Sequence, residues 1–551
     1  MHCSGGCSTA ESLTTLLPAL RRESRIYLLR DFGDFQTPPA LVSEILKCLG
    51  PIGEKWPRVL EPTCGRGNFV RGLLGSPAPP SEIQAIELQS VHFEEARRAL
   101  EHPSAPRVVV KKANVFDLDL HNGVQWKNTG PLLVVGNPPW VTNAELGTLG
   151  SDNLPNKTNL KKLRGIDALT GSSNFDIAEY VWLKLIRDLA PEQATIALLC
   201  KTAVARNVLR FAFDAALPIT HASIRKIDAK KWFKASVEAC LFRVDVGPGE
   251  RRYEAEVFSD LHASKPESIM GFVNGQLVAD VEAHERSAFA DGVCPVTWRQ
   301  GLKHDAASVM ELGYEGSGSL RNKLGETIDV ESEHIYPLLK SSDLFHQAKP
   351  QKYVIVTQKT LNESTNQLEW SAPRLWDYLT THIDVFERRK SSIYRNKSSF
   401  AMFGIGNYSF SLYKVGVSGL HKTPKFRAIG PVEGRPVMLD DTCYFVSCRS
   451  PEQAVLLSGL LNAPACLELI QSMIFFDSKR PITKKLLQRI DLKALLERTD
   501  RYSLLSRVEA DLGNLLTIVE WQEIVRSVSL EEILFKEVAS NDSSPQMVLD
   551  L

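Results

Sequence analysis

From residue 58 to 246, short apolar runs alternate with amphipathic stretches. The apolar runs are RVLEP (58–62), IQAIEL (83–88), RVVVKKAN (107–114), LLVVGNPPW (132–140), ATIALLC (194–200), ITHASIRKI (219–227) and VEACLFRV (237–244). Their lengths and their Val, Ile and Leu content predict strands. Between them, VHFEEARRALEH (91–102) and FDIAEYVWLKLIRDLAP (175–191) space apolar residues as a helix does. Regular β-α alternation with short connections predicts an α/β fold built on a doubly wound, mostly parallel sheet. Ligands of such sheets sit at the carboxyl ends of the strands.

After 250 the regularity fails. Residues 251–480 mix short strand signals with Gly, Ser and Asn turns and show no repeat, which predicts a separate α+β domain. Helical patterning returns in TKKLLQRIDLKALLER and LEEILFKEVA, so 481–551 is expected to be a helical region ending in a frayed tail. Residues 1–30, with CSGGCST, are expected to form a flexible arm. The alternating part, 31–250, is then the candidate catalytic domain.

Composition narrows the choices. A hydrophobic content of 43% and a charged content of 24% suit globular domains with large cores. With 65 basic and 65 acidic residues the chain is no polycation, so a nucleic-acid site must be a local patch. None of the 10 cysteines forms a C-x-x-C pair; Cys3 and Cys7 lack a second pair or a His cluster. Free thiols in a reducing cytoplasm are expected, with no metal. No apolar run of about 18 residues predicts a membrane span, and the N-terminus lacks a signal-peptide layout.

Chemistry first appears in VLEPTCGRGNF (59–69). A strand leads through Glu61 and Pro62 into a tight turn with Gly65 and Gly67, and Phe69 opens a helix. Glycines at a strand-to-helix turn let a ligand approach the backbone closely. Glu87, followed by Leu88, ends the next strand and suits two ribose hydroxyls. The turn is GxG rather than GxGxxG, and the nearby Glu61 would repel a pyrophosphate but attract an ammonium or sulfonium group. These features point to S-adenosyl-L-methionine. Asn114 can bond an adenine edge, and Val115 or Phe116 can pack on the ring.

The fourth strand ends on Asn137-Pro138-Pro139-Trp140, which no interior strand tolerates. The prolines stiffen the chain and remove two donors. What remains is a pair of acceptors, the Asn137 side-chain oxygen and the Pro138 carbonyl, beside a flat indole. That set suits an NH2 group on a planar ring. Accepting both its hydrogens favours the pyramidal, nucleophilic amine, and positioning lowers the barrier further. Trp140 would stack on the ring; such stacking is worth about 1–3 kcal/mol. A base in a duplex must first be flipped out.

Taken together, these motifs resemble the amino-methylating (N6-adenine) DNA methyltransferases of restriction–modification systems, in the gamma-class motif order. DFQTPPALVSEIL (34–46) resembles the leading motif, whose Thr37 and Pro38 would lie against the methionine part of the cofactor. LEPTCGRGNF resembles the glycine motif, AIEL the ribose acid, ANVFD the adenine turn and NPPW the catalytic motif. KKWFKASVEACLFRV (230–244) resembles the motif in which an aromatic closes over the target base, with Phe233 the choice and Trp232 the alternative. SNFDIAEY (173–180) matches the segment after the catalytic loop, where Asn174 and Phe175 would shape the base pocket. The resemblance implies a Rossmann-like class I S-adenosylmethionine-dependent fold followed by a target-recognition domain. Two departures stand out: Asn114 replaces a common Asp, and Trp140 replaces Tyr or Phe. Asn137 favours adenine over cytosine N4.

Double-stranded DNA is therefore the expected partner. Residues 141–173 carry Lys157, Lys161, Lys162 and Arg164 and could contact it. The stretch 340–427 holds 14 basic against 6 acidic residues with aromatics interleaved, which suits phosphate contacts. ESEHIYPLLKSSDL (331–344) resembles a segment of these recognition domains. About 30 residues precede the Thr-Pro-Pro motif and no nuclease cluster is evident, so either a separate restriction endonuclease cuts or nothing does. The rival readings are a protein-glutamine or other N-methyltransferase and a non-catalytic DNA-binding modification subunit.

Overall fold

The computed structural model describes residues 36–100, 107–141, 176–314, 319–475, 477–513 and 515–535. The N-terminal arm, the stretch 142–173 with its four basic residues, Asn174 and Phe175 lie outside the described residues. The chain divides into two compact units, Met1–Val281 and Glu282–Leu551.

The first unit carries a ten-stranded sheet. Its strands are β1 (Arg58–Glu61), β2 (Glu82–Glu87), β3 (Arg107–Lys112), β4 (Leu132–Gly136), β5 (Ala194–Lys201), β6 (Ile219–Ile227), β7 (Ala239–Val246), β8 (Ala255–Phe258), β9 (Ser268–Val273) and β10 (Gln276–Val278). Their order is β10-β9-β8-β6-β7-β5-β4-β1-β2-β3. β3, β2, β1, β4 and β5 run parallel, while β7 is antiparallel to both neighbours. The helices are α1 (Pro39–Leu49), α2 (Asn68–Leu74), α3 (Ser90–Leu100), α4 (Ile177–Asp188), α5 (Thr202–Asp214) and α6 (Ala229–Phe233). Every residue of β2 and of β4 is buried, as expected for strands covered on both faces. This is a Rossmann-like, class I methyltransferase fold. Strand order reverses between β1 and β4, so a crevice opens at their carboxyl ends.

The apolar runs of the sequence become these strands, with one correction to the expected boundary near 250. The sheet continues through β8, β9 and β10, and the unit ends at Val281. These three strands have 4, 6 and 3 residues, too short to show a period between turns.

The second unit is mixed α and β. One sheet has the order β11-β19-β16-β17 and another β13-β12-β15-β14-β18. They are built from β11 (Arg299–Gln300), β12 (Glu311–Tyr314), β13 (Leu320–Asn322), β14 (Ile335–Leu339), β15 (Lys352–Ile355), β16 (Tyr413–Ser418), β17 (Phe426–Ile429), β18 (Met438–Leu439) and β19 (Cys443–Cys448). α7 (Pro373–Thr381) lends Leu375 and Leu379 to a core with Val354 and Phe400. α8 (Pro451–Leu461) is buried from Gln453 to Leu461, flanked by β16, β17 and α10 (Arg501–Ala510). The helices after 481 thus belong to this unit rather than to a separate region. The predicted helix over 483–498 is divided at Asp491, whose carboxylate accepts the Lys493 and Ala494 N–H groups and caps a new start. Among the described residues no single helix is long and apolar enough to cross a membrane. The pair α8 and α9 (Pro464–Met473) is apolar enough but bends by 62°.

Candidate active site

Four strand ends converge on one cavity of about 1020 Å³, open solvent at its mouth included, at the upper end for small-molecule sites. After β1, the backbone turns through Gly65 (φ +52°) and Gly67 (φ +79°), both left-handed. Neither glycine has room for a side chain. A Cβ on Gly65 would stand 2.7 Å from Gln36 Nε2, and one on Gly67 2.3 Å from Leu100 Cδ1. Gly67 therefore serves the packing of α2 on α3, while Gly65 presents bare backbone to the cavity.

Hydrogen bonds lock this turn. The Gly65 N–H donates to Glu87 Oε2 at 2.8 Å, and the Gln89 N–H donates to Glu87 Oε1 at 2.7 Å. The Arg66 N–H donates to Gln36 Oε1 at 3.1 Å, and Asn68 Nδ2 donates to the Thr37 carbonyl at 2.9 Å. The Thr-Pro-Pro segment and the glycine turn are thereby one rigid wall. On the far side, Asn114 Oδ1 accepts the Phe116 N–H at 3.0 Å. The Phe116 ring meets Tyr180 edge-on at 4.8 Å.

Electrostatics favour a cationic ligand. Glu61 is buried, and its Oε2 has no hydrogen-bond partner. Burial, and then the charge of Glu87, hold its carboxyl well above the usual range. Thr63 Oγ1, also on the wall, is likewise buried without a partner. Two such atoms call for a polar ligand, and a cationic one would let Glu61 ionise. Burial pushes the Cys64 thiol up, so it is no nucleophile here.

Asn137 and Pro139 line this same cavity, with Gly65 and Glu87 on its other walls. β4 delivers them there because its last residue, Gly136, pairs beside Leu198 of β5. Beyond the motif, the Ile177 N–H donates to the Val141 carbonyl at 3.0 Å, and both residues line the cavity. Asp176 caps α4 through the Ala178 N–H, and Lys201 pairs with it at 2.7 Å.

Of the residues picked from sequence, Thr37, Glu61, Pro62, Gly65, Phe69, Glu87, Leu88, Asn114, Val115, Asn137 and Pro139 lie on the cavity wall. Pro38, Gly67, Pro138, Trp140 and Phe233 do not. Pro38 precedes α1, and Pro138 is buried. Trp140 is only 5% exposed and packs in the core. Phe233 touches it, with ring centroids 5.2 Å apart, and Trp232 packs against the same cluster. Gln36 and Asn68 were given no role by the sequence reading, although each lies inside a quoted motif. His92, also on the wall, carried no signal beyond its place one turn after Glu87. Among the described residues no cluster of His, Cys, Asp or Glu could hold a metal ion.

The basic stretch 340–427 is not uniformly available. Lys340 bridges Glu311 and Asp440. Arg374 pairs with Asp329 and Glu331. Arg389 donates to the carbonyls of His304, Ala401 and Ser399. Lys414 is buried, its ammonium on the Ser411 carbonyl, and Arg427 holds the Ala348 carbonyl.

Comparisons with known proteins bear on this site. No family model matches the chain. The type II methyltransferase M.NspV of Nostoc sp. (strain ATCC 29411 / PCC 7524) is 35% identical over 468 residues, 84% of this chain and 97% of that protein. The type IIL restriction-modification enzyme MmeI, solved in complex with DNA, superposes with a TM-score of 0.51 at 12% identity. That match covers 97% of this chain and 76% of MmeI, and at such identity it speaks for a shared fold alone.

Proposed function

The chain belongs to the family of type II methyltransferases of restriction–modification systems, and from its site we propose that it is a site-specific DNA adenine-N6 methyltransferase. Its partner is duplex DNA in the cytoplasm, and a separate endonuclease would read the same sequence. The observation that carries this is the shared wall: Asn137 and Pro139 face the cavity whose other sides are Glu61, Gly65 and Glu87.

S-adenosyl-L-methionine is the cofactor, and it supplies a methyl group on a sulfonium. The residues present fit it. The Glu87 carboxylate, fixed by two backbone N–H groups, keeps lone pairs for two ribose hydroxyls. Asn114, Val115, Phe116 and Leu88 take the adenine. Glu61 and Thr63 meet the methionine end, where Glu61 Oε2 gains the donor it lacks.

Asn137 Oδ1 holds the target amino group from the cavity wall, and the Pro138 carbonyl, off that wall in this structure, is the second acceptor the motif supplies. Each accepts one of its hydrogens, so the nitrogen lone pair turns toward the methyl group. Pro138 and Pro139 keep these acceptors rigid, so little reorganisation is needed as charge develops. Phe233, partly buried against Trp140, supplies the aromatic face for an extruded base, while Trp140, expected to stack, is covered in the core and backs it.

Transfer of labelled methyl groups to a library of duplex oligonucleotides, followed by nucleoside analysis, tests the reading. N6-methyladenine is expected. N4-methylcytosine, or label on protein, would replace it. Asn137→Ala should lower kcat by about 10²-fold or more while cofactor affinity is retained; unchanged kcat would remove Asn137 from the mechanism.

A further inference from the structure

Once the internally committed cations of 340–427 are set aside, one cluster in the second unit stands out. It is formed by the loop between β16 and β17 (419–425) and by the short helix Ser341–Phe345 with His346 after it. The rings of Phe345 and His421 stack in parallel, 3.9 Å apart at 6°. His346 stands edge-on to both, at 5.2 and 6.0 Å. The Lys425 ammonium lies 4.4 Å from the Phe345 ring centre, where the ring face attracts it. Lys422 is exposed, and Leu420 is 43% exposed at the loop tip.

The hydrogen bonds orient the imidazoles. Ser418 Oγ accepts the N–H groups of Leu420 and His421 at 3.2 and 3.3 Å. Its own proton is therefore left for His421 Nδ1, 2.6 Å away. That fixes the His421 tautomer with the proton on Nε2, a donor with no partner among the described residues. His346 Nδ1 donates to the Ser342 carbonyl at 2.9 Å.

Among the described residues no acid pairs with Lys425 or His421. Asp343, on the same helix, is taken by the Lys340 N–H at 2.9 Å and by Lys352 at 3.7 Å. Burial, then the charges of His346 and Lys425, lower the His421 pKa, and no carboxylate opposes them. A held lysine, an oriented N–H donor and a rigid aromatic stack make a preorganised anion contact.

We propose that the loop between β16 and β17, with Phe345 and His346 beside it, contacts the phosphodiester backbone of DNA through Lys425 and His421. This rests on the reading of the chain as a DNA methyltransferase and deepens it. The contact positions the duplex without reading its bases.

The test is equilibrium binding of the full chain to a duplex oligonucleotide across a salt series, with Lys425→Ala and His421→Ala singly and together. Melting temperature and cofactor affinity report folding. The double variant should bind roughly tenfold more weakly and show a log Kd against log salt slope shallower by about 1, from Lys425 alone. Lys425→Arg should restore binding and Lys425→Glu should lower it further. At saturating DNA, kcat should not change. Wild-type affinity and slope in a folded double variant would overturn the contact, while methylation by the wild type would leave the functional reading standing. Duplex binding that depends on Lys425 in a protein that methylates no DNA would do the reverse.

Discussion

The edge of the Phe233 ring rests against the Trp140 indole, 5.2 Å between centroids at 65°. α6 carries one ring and the end of β4 delivers the other. Trp140 is only 5% exposed and packs in the core, so Phe233 is the less buried ring of the two. Phe233→Leu keeps an apolar plug but removes the aromatic face. Loss of about 1–3 kcal/mol of stacking should appear in kcat/KM on duplex DNA, with the melting temperature little changed. A duplex whose target adenine is already unpaired should recover part of the loss. Unaltered kcat/KM would separate Phe233 from base handling.

Glu87 has two duties that one substitution exposes together. It accepts the Gly65 and Gln89 N–H groups and lines the cavity. Glu87→Ala should weaken cofactor binding strongly and also destabilise the protein by about 2–4 kcal/mol, since charge-assisted hydrogen bonds are lost from a buried site. Calorimetric titration with the cofactor and thermal melts of the ligand-free protein give the two numbers separately.

At Gly67 the obstacle is both conformation and a neighbour. Its φ is +79°, and a Cβ would fall 2.3 Å from Leu100 Cδ1. Gly67→Ala should cost about 2–4 kcal/mol, combining left-handed strain with overpacking. Adding Leu100→Ala should return the steric part and leave the strain, so the double variant should be more stable than additivity allows. Denaturant unfolding of the four proteins in the cycle measures this.

Glu179, buried on α4, is held by Asn207 Nδ2 at 2.8 Å. Burial lifts its carboxyl from 4.5 to about 7. The ionised form is therefore disfavoured in the fold. Well below 4.5 both folded and unfolded chains hold the proton and nothing is lost. Between 4.5 and about 7 the unfolded chain ionises first, and stability falls with rising pH. Above that window the penalty is constant, on the order of 3 kcal/mol. Glu179→Gln keeps the Asn207 bond and should melt higher than wild type near pH ~8, with the gap shrinking toward pH ~4. A gap that does not change with pH would place the effect elsewhere.

The cavity was legible because its chemistry sits in short contiguous motifs at strand ends. Glu61, Gly65, Glu87, Asn114 and Asn137 each announce themselves by what surrounds them in the chain. Gln36 did not, because its role comes from a bond to Arg66, 30 residues away. β8 to β10 stayed hidden because such short strands owe their existence to the sheet edge they extend. The charge count over 340–427 misled most. Arg389 and Lys414 look like their neighbours in sequence, yet one is spent on three carbonyls and the other is buried in a strand. Only tertiary contacts separate such cations from Lys425 and His421.

The hydrogen bond from the Ile177 N–H to the Val141 carbonyl fastens the two points where the chain departs from the site and returns. It pins the residue just after the NPPW motif to the first residue of α4, so Asn137 takes its position from β4 and α4 together.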